Sequence, residues 1–434
     1  MTRKKTIHLG ANLHAVGSHA AAWRWPASDS NAFMHVDHYI EYAQVAERGL
    51  MDAVFLADRL GVSVNLASRP PHASLEPIAL LTAIARATQY IGLIATASTT
   101  YNEPFNVARG LMSLDIISGG RAAWNVVTSS DATNLPSFGG PPVGREERYK
   151  RAEAFVEVVK QLWLSWGERV IIADKETGVF GDPSKLKLLD PETNMFGVRG
   201  PLSLPPSPQG YPVIFQAGGS AQGVRLAVLH ADAIFAAAND LDAAISEAAD
   251  VRTHSDEAGR SRAPLIMPGL ITTLAGTEAE ARRRKRELDD LLDWTGALEG
   301  FSRRTSIALE HLKLDQPIDP DHLPKDRDSV ASIGSYRAIE GLIRKGMTVR
   351  EILSEGQVGG HRVIAGTPEQ VADSIAEWFR SGAVDGLNIM PDVLCDGLPA
   401  FVDEVIPLLQ KKGIYRTEYE ETTLRARLNC NLNL

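Results

Sequence analysis

The chain has 434 residues, 44% hydrophobic and 23% charged, with a formal net charge of -9 at pH 7. This is the make-up of an ordinary globular protein, long enough for two or three average domains or for one large α/β barrel with insertions. An acidic balance without a dense Lys/Arg stripe argues against a nucleic-acid partner.

Apolar runs and helical stripes alternate along most of the chain. Residues 6–13 predict a first strand, and Val36, Tyr39, Ile40, Ala43 and Ala46 predict one face of a helix that ends at Gly49. A second strand is expected at 52–57, a helix at 77–87, a third strand at 91–97 and a helix at about 106–117. The fourth strand, 122–127, stops at Thr128, Ser129 and Ser130. The clearest helix runs from Arg145 to Trp166, with Tyr149, Ala152, Phe155, Val156, Val159 and Leu162 on one stripe. The Gly/Pro-rich stretch that follows, about 167–211, is too long for an ordinary connection and reads as an excursion over the surface.

Residues 212–217 form a fifth strand that ends at Gly218, Gly219 and Ser220, before a helical pattern of Val224, Leu226, Ala227 and Leu229. A sixth strand is expected at 232–236 and a seventh at 265–274, after which Thr277 and Glu280 have capping-box spacing. Arg282, Arg283, Arg284, Lys285 and Arg286 lie between acidic residues and read as a solvated helix face. Periodicity weakens over about 294–360, a second insertion. Thr367, Pro368 and Gln370 start another helix; an eighth strand at 384–390 and a helix at 401–410 complete the pattern. Eight strands with intervening helices predict a (β/α)8 TIM barrel, one domain spanning 1–434 with those two insertions. The competitor is a doubly wound open sheet, weakened because no Gly-x-Gly-x-x-Gly follows the first strand.

In a barrel the chemistry sits at the C-terminal ends of the strands. Those ends carry His14, Asp58, Thr96, Ser98, Asn125, Thr128, Gly218, Gly219 and Ser220. A strand that stops at Gly-Gly-Ser on a helix start points unpaired N–H groups outward, with the positive helix end behind them, which suits a phosphate. A tight turn is the alternative reading. The set is polar and mostly neutral, better matched to a heteroaromatic ring and a phosphate than to a metal. Two plainer readings stand beside it: Ser98 and Thr99 as turn formers, and Asp58 with Arg59 as a loop ion pair. There is no His-Glu-x-x-His, paired-Cys motif, Walker loop or Gly-x-Ser-x-Gly elbow, and His35 with His38 reads as a solvated turn. A site with no obvious nucleophile or acid/base pair borrows its reactivity from a cofactor. Cys395 and Cys430 lack metal spacing and fit a reducing compartment. No run approaches a membrane span and the N-terminus is a poor secretion signal, so a cytoplasmic location is expected.

Several stretches resemble one family. They are Thr99, Thr100, Tyr101 and Asn102 before Glu103, Pro104 and Phe105; Leu114 through Ser118, Gly119, Gly120 and Arg121; and Trp124, Asn125, Val126, Val127, Thr128 and Ser129. Glu147, Arg148 and Tyr149, the pair Pro201 and Leu202, Ser207 to Gly210, Phe215 to Gly218 and Ala383 to Gly386 continue the series. The chain resembles, in order from about Ile7 to Arg425, the nitrilotriacetate monooxygenase component A group of bacterial-luciferase-like flavin monooxygenases, which includes the dibenzothiophene sulfone and dimethyl sulfide monooxygenases.

The resemblance implies a barrel that uses O2 and reduced FMN, supplied by a separate NAD(P)H-dependent flavin reductase, to oxygenate a small organic substrate. C–N, C–S or a related bond is often cleaved. It places Asp58 and Thr96 beside the isoalloxazine, Asn125 and Thr128 at the neighbouring strand end, and Tyr149 and Ser220 on the phosphate side. It sets His14 and the Trp23 and Arg24 pair near the substrate mouth, and implies a homodimer or homotetramer. Arg145 stands where relatives often have His, and a guanidinium can bind phosphate bidentately in its place. Gly219 replaces a second Ser, which removes a hydroxyl and keeps an N–H. Two other functions compete: a deazaflavin- or flavin-dependent oxidoreductase on the same barrel, and a flavin-binding protein without turnover.

Overall fold

The computed structural model describes residues 6–58, 60–61, 75–129, 135–139, 143–324, 333–356, 360–430 and 432. Short apolar runs become strands covered on both faces, the signature of a parallel sheet wrapped by helices. In chain order the strands, not all of them so covered, are β1 (His8–Asn12), β2 (Ala53–Leu56), β3 (Gly92–Ser98), β4 (Ala122–Val127), β5 (Ile171–Asp174) and β6 (Val179–Gly181). After these come β7 (Val213–Ala217), β8 (Ala233–Phe235), β9 (Leu265–Ile266), β10 (Gly269–Leu274), β11 (Arg362–Gly366) and β12 (Gly386–Pro391).

The main sheet runs β11-β10-β12-β1-β2-β3-β4-β7-β8-β9. It closes on itself: Asp385 N donates to Ile266 O and Asn388 N to Pro268 O, each at 2.9 Å. This is the expected eight-stranded barrel. Its seventh strand is divided into β9 and β10 at Met267 and Pro268, because proline has no N–H for the ladder. β11 was not anticipated; it runs parallel to β10, with Arg362 opposite Leu270.

The helices are α1 (Val36–Arg48), α2 (Pro77–Ala87), α3 (Pro104–Ser118), α4 (Leu135–Phe138) and α5 (Arg145–Trp163). Next are α6 (Ala221–His230), α7 (Leu241–Glu257), α8 (Glu278–Asp290), α9 (Trp294–Thr305) and α10 (Ile333–Arg344). Last come α11 (Val349–Gly356), α12 (Pro368–Arg380), α13 (Leu394–Ala400), α14 (Ile406–Lys411) and α15 (Leu424–Arg427). The predicted caps form: Thr277 and Thr367 each accept from the N–H three residues on, and Gln370 completes a reciprocal box; Ser220, not singled out as a cap, caps α6 in the same way. The last predicted helix starts earlier, at Leu394, and passes through a wide turn at Phe401–Val405 beyond Pro399.

The first excursion is a short antiparallel hairpin, β5 with β6, whose Ile171, Ile172, Val179 and Phe180 face solvent. The second packs α9, α10 and α11 around a small core of its own, including Phe301, Ile307, Leu312, Ile339 and Ile352. A polar node at α8 helps tie it to the barrel: Asp289 meets Lys285 Nζ at 3.0 Å, Ser354 Oγ at 2.6 Å and His19 Nε2 at 3.0 Å.

α15 plugs the bottom of the barrel. Leu424 and Leu428 join Ala53, Ile94, Val213 and Phe215 in one cluster, and a Cβ on Gly92 would lie 2.7 Å from Leu424 Cδ1. Around the plug, Arg425 pairs with Asp232 at 3.2 Å, Arg427 donates to Asp52 O at 2.9 Å, and Arg416 reaches Asp52 Oδ1 at 2.6 Å. Burial alone would raise the Asp52 pKa; Arg416 and His8 hold it well below the usual carboxylate range.

Candidate functional site

The open end of the barrel, where the strands finish, carries two polar groupings. The first is a cup at the β7–α6 junction. Ser220 is the N-cap of α6: its Oγ accepts from Gly223 N at 3.0 Å and donates to Tyr149 Oη at 3.2 Å. Tyr149 comes from the first turns of α5, so one hydroxyl pair joins two helix starts. Glycines leave the space: a Cβ on Gly218 would stand 3.2 Å from Tyr149 Oη and 2.8 Å from Gln216 Nε2, and one on Gly223 would also stand 3.2 Å from Oη. Gly219 is exposed between them. Below, Gln216 is buried in β7 with Oε1 lacking a partner among the described residues.

Arg145 opens α5 and is half-buried. Arg148, one turn on, lies in its field: burial first, and then Arg145, lower the Arg148 pKa. Arg145 and Arg148 thus put positive charge on the first turn of α5, the helix that also supplies Tyr149, and Arg148 Nη1 donates to Val143 O at 2.6 Å. Sequence reasoning missed Gln216 and Arg148 as site residues. A polar residue inside an otherwise apolar strand was the available signal for Gln216.

The second grouping lies on β3 and β4. Thr96 and Asn125 are register partners, Asn125 Nδ2 donates to Thr96 Oγ1 at 2.9 Å, and Thr96 Oγ1 donates to Leu56 O at 2.7 Å. The threonine proton is spent, while Asn125 Oδ1 is buried with no partner among the described residues. Ser98 organises its loop: its Oγ accepts from Thr100 N at 3.1 Å, Tyr101 N at 3.3 Å and Ser129 Oγ at 2.8 Å. That is the turn-former reading. Thr128 is half-buried and offers its carbonyl to Thr100 Oγ1 at 2.8 Å. Arg151 locks the same loop to α5 through Thr99 O at 2.9 Å.

Asp58 stands half-buried just past β2; its neighbour Arg59 lies outside the described residues, and with it the loop ion-pair reading. His14 is half-buried beyond β1. Across the same mouth His361 enters between Phe235 and Met390, a residue for which the sequence gave no periodicity or motif signal. Arg24 is pinned to Leu291 O at 2.5 Å, and His38 Nε2 lies 2.5 Å from Ala15 O. These residues tie loops to the frame.

Two of the signature stretches prove architectural. Asp115 is fully buried and accepts from Ser207 Oγ at 2.5 Å, Gln209 Nε2 at 2.7 Å and Ala122 N at 2.9 Å. Arg121 donates to the carbonyls of Ser118, Ile91 and Ala85 at 2.7 to 2.8 Å. They clamp the end of the barrel away from the mouth.

Comparison with known proteins agrees with this architecture. The family model described as luciferase-like monooxygenase matches residues 14–385. N-acetyl-S-(2-succino)cysteine monooxygenase of Bacillus subtilis (strain 168) is 43% identical over 98% of this chain and 96% of its own. Nitrilotriacetate monooxygenase component A of Aminobacter aminovorans is 37% identical over 99% of this chain and 97% of its own. Among solved structures, EDTA monooxygenase from Chelativorans sp. BNC1 superposes with a TM-score of 0.80 at 32% identity, covering 98% of this chain and 99% of that one. Matched over most of its length in both sequence and fold, the chain belongs to the luciferase-like monooxygenase family.

Proposed function

We propose that the barrel mouth binds reduced FMN, delivered by a separate NAD(P)H-dependent flavin reductase, and uses it with O2 to oxygenate a small acidic organic molecule, cleaving a C–S or C–N bond. The observation that carries the reading is the glycine-lined cup in which Tyr149 and Ser220 meet at 3.2 Å, with Arg145 at the start of the helix that supplies Tyr149. Its donor set suits a phosphate, and the buried acceptors Gln216 Oε1 and Asn125 Oδ1, without partners among the described residues, suit the N–H groups of a heterocycle.

In this reading the phosphate lies on Ser220, Tyr149, Arg145 and the backbone N–H groups of Gly218 and Gly219. Asp58, Thr96, Asn125 and Thr128 border the ring, Thr96 by holding Asn125 in place and Ser98 by shaping the loop. Reduced FMN supplies the electrons that activate dioxygen. The protein's own work is to orient the ring and substrate and to keep water out, a role for which the two excursions are the candidates. In this reading His14, just past β1, holds or passes a proton at its imidazole. The acidic substrate class rests on relatives whose names carry polycarboxylates: N-acetyl-S-(2-succino)cysteine and nitrilotriacetate. A homodimer or homotetramer is the assembly proposed.

The test is a panel of carboxylated thioethers and amines with the enzyme, a flavin reductase and 18O2. Incorporation of one labelled oxygen into product, dependent on reduced FMN, is the expected result. Substrate turnover without oxygen uptake would favour hydride transfer on the same barrel and overturn the proposal.

A further inference from the structure

On the β8–β10–β12 side of the mouth, the His361 ring has no hydrogen-bond partner among the described residues. His361 is 7% exposed, its Nδ1 is buried without a partner, and neither ring nitrogen makes a hydrogen bond to any described residue. The ring enters the barrel because its seat is glycine. A Cβ on Gly269 would stand 2.7 Å from His361 Nδ1 and 2.6 Å from Met390 Sδ. Phe235 flanks it with ring centroids 5.0 Å apart, and Phe235 in turn meets Phe55 at 5.1 Å.

An aromatic and thioether arc of this kind would accept a valine or leucine at 361. A histidine there leaves a buried polar group without a hydrogen-bond partner among the described residues, a cost that a ligand able to accept from the ring would relieve. The electrostatics say what kind of ligand. Burial, and after it the field of His14, push the His361 pKa down to about 4, and His14 is the one titratable group acting on it among the described residues. Among the described residues, no carboxylate acts on the buried His361 ring. An anion is the group that suits the ring: a carboxylate accepts from the imidazole and restores its affinity for a proton taken from solvent.

We propose that His361 is a specificity-determining residue that receives a carboxylate of the substrate at the mouth, in the field of His14. The inference rests on the acidic-substrate reading and names the side chain that selects for it. Binding then takes up a proton, and an uncharged substrate gains nothing from the residue.

The experiment compares wild type, His361→Val and His361→Gln in the reductase-coupled assay. The probes are N-acetyl-S-(2-succino)cysteine and its methyl ester at the succinyl carboxylates, with reduced-FMN affinity measured alongside. His361→Val should raise KM for the acid at least tenfold, leave the ester's KM within twofold, and leave FMN affinity within twofold. His361→Gln, which keeps a donor near the Nε2 position, should recover most of the loss. Proton uptake on binding the acid at pH 7.5, seen by calorimetry in two buffers, should vanish in His361→Val. Equal KM changes for acid and ester, or unchanged KM for both, would reduce His361 to packing and overturn the subsite alone. Loss of FMN affinity in both variants would move His361 to the flavin and also overturn it. Wild type that oxidises no carboxylated probe would bring down the substrate reading and the subsite together.

Discussion

Ser220 carries two roles that one substitution can separate. Its hydroxyl caps α6 through Gly223 N at 3.0 Å and meets Tyr149 Oη at 3.2 Å. Ser220→Ala removes both contacts. Losing the cap costs about 1 kcal/mol of stability, and losing a hydrogen bond to phosphate costs about 1 kcal/mol of FMN affinity. Weakened binding in that variant would therefore not tell a missing ligand contact from a frayed helix start. Ser220→Asp does. Aspartate caps as well as serine, and a helix N-terminus favours its charge by about 0.3–1 kcal/mol, so the melting temperature should hold or rise. The same carboxylate about 4 Å from a phosphate oxygen is repelled by roughly 4 kcal/mol at an effective dielectric of about 20. Discounted for solvent at the half-open cup, about 2–3 kcal/mol remains, or roughly 30- to 150-fold weaker FMN binding. Fluorescence titration of FMN together with thermal melting reads both quantities. Unchanged FMN affinity in Ser220→Asp with an intact melting temperature would refute the assignment of the phosphate to this cup.

Arg145→Ala should weaken FMN by about 1.5–3 kcal/mol, the range for a charge-assisted hydrogen bond, with no loss of stability; full affinity would return the phosphate role to Tyr149 and Ser220 alone. In Gly218→Ala the new Cβ would press on Gln216 Nε2 at 2.8 Å and Tyr149 Oη at 3.2 Å, so flavin affinity should drop at least tenfold, and unchanged titration would contradict the cup geometry. Arg416→Met removes the guanidinium 2.6 Å from buried Asp52, which should destabilise the fold by about 3 kcal/mol in urea denaturation; a change under 1 kcal/mol would mean that His8 suffices. His230 is held by burial at a pKa of about 4, against an ordinary 6.5, and both its ring nitrogens lack partners among the described residues. The unfolded chain takes a proton there first, so this stability is full above pH 6.5 and is lost as pH falls toward 4. His230→Phe should lose less stability than wild type between pH 7 and 5, and parallel curves would contradict it.

Local patterning made most of the barrel readable. β1 to β4, β7, β8 and β12 lie where apolar runs predicted them, since strands covered on both faces are continuous hydrophobic segments. The cap at Thr277 and the box at Thr367 follow from spacing alone. What stayed hidden is non-local. β11 is five residues with only Gly366 fully covered, and it becomes a strand because β10 supplies a ladder. The plug by α15 depends on Gly92 making room for a leucine that lies hundreds of residues away in sequence.

The candidate site shows the same division. Thr96 and Asn125 were legible as strand ends, but their mutual hydrogen bond, which turns Thr96 from a ligand donor into a support, needs the register of β3 against β4. Asp115 and Arg121 look functional in a motif and act as a buried clamp. His361 has no signal at all, since its meaning comes from Gly269 and Phe235 on neighbouring strands.

The most direct test of the central claim is a crystal structure of the protein with FMN bound. The account expects the phosphate within hydrogen-bond distance of Ser220 Oγ and Tyr149 Oη and the tricyclic ring against Asn125. A phosphate lodged elsewhere, or a ring on the plugged end of the barrel near Leu424, would contradict it.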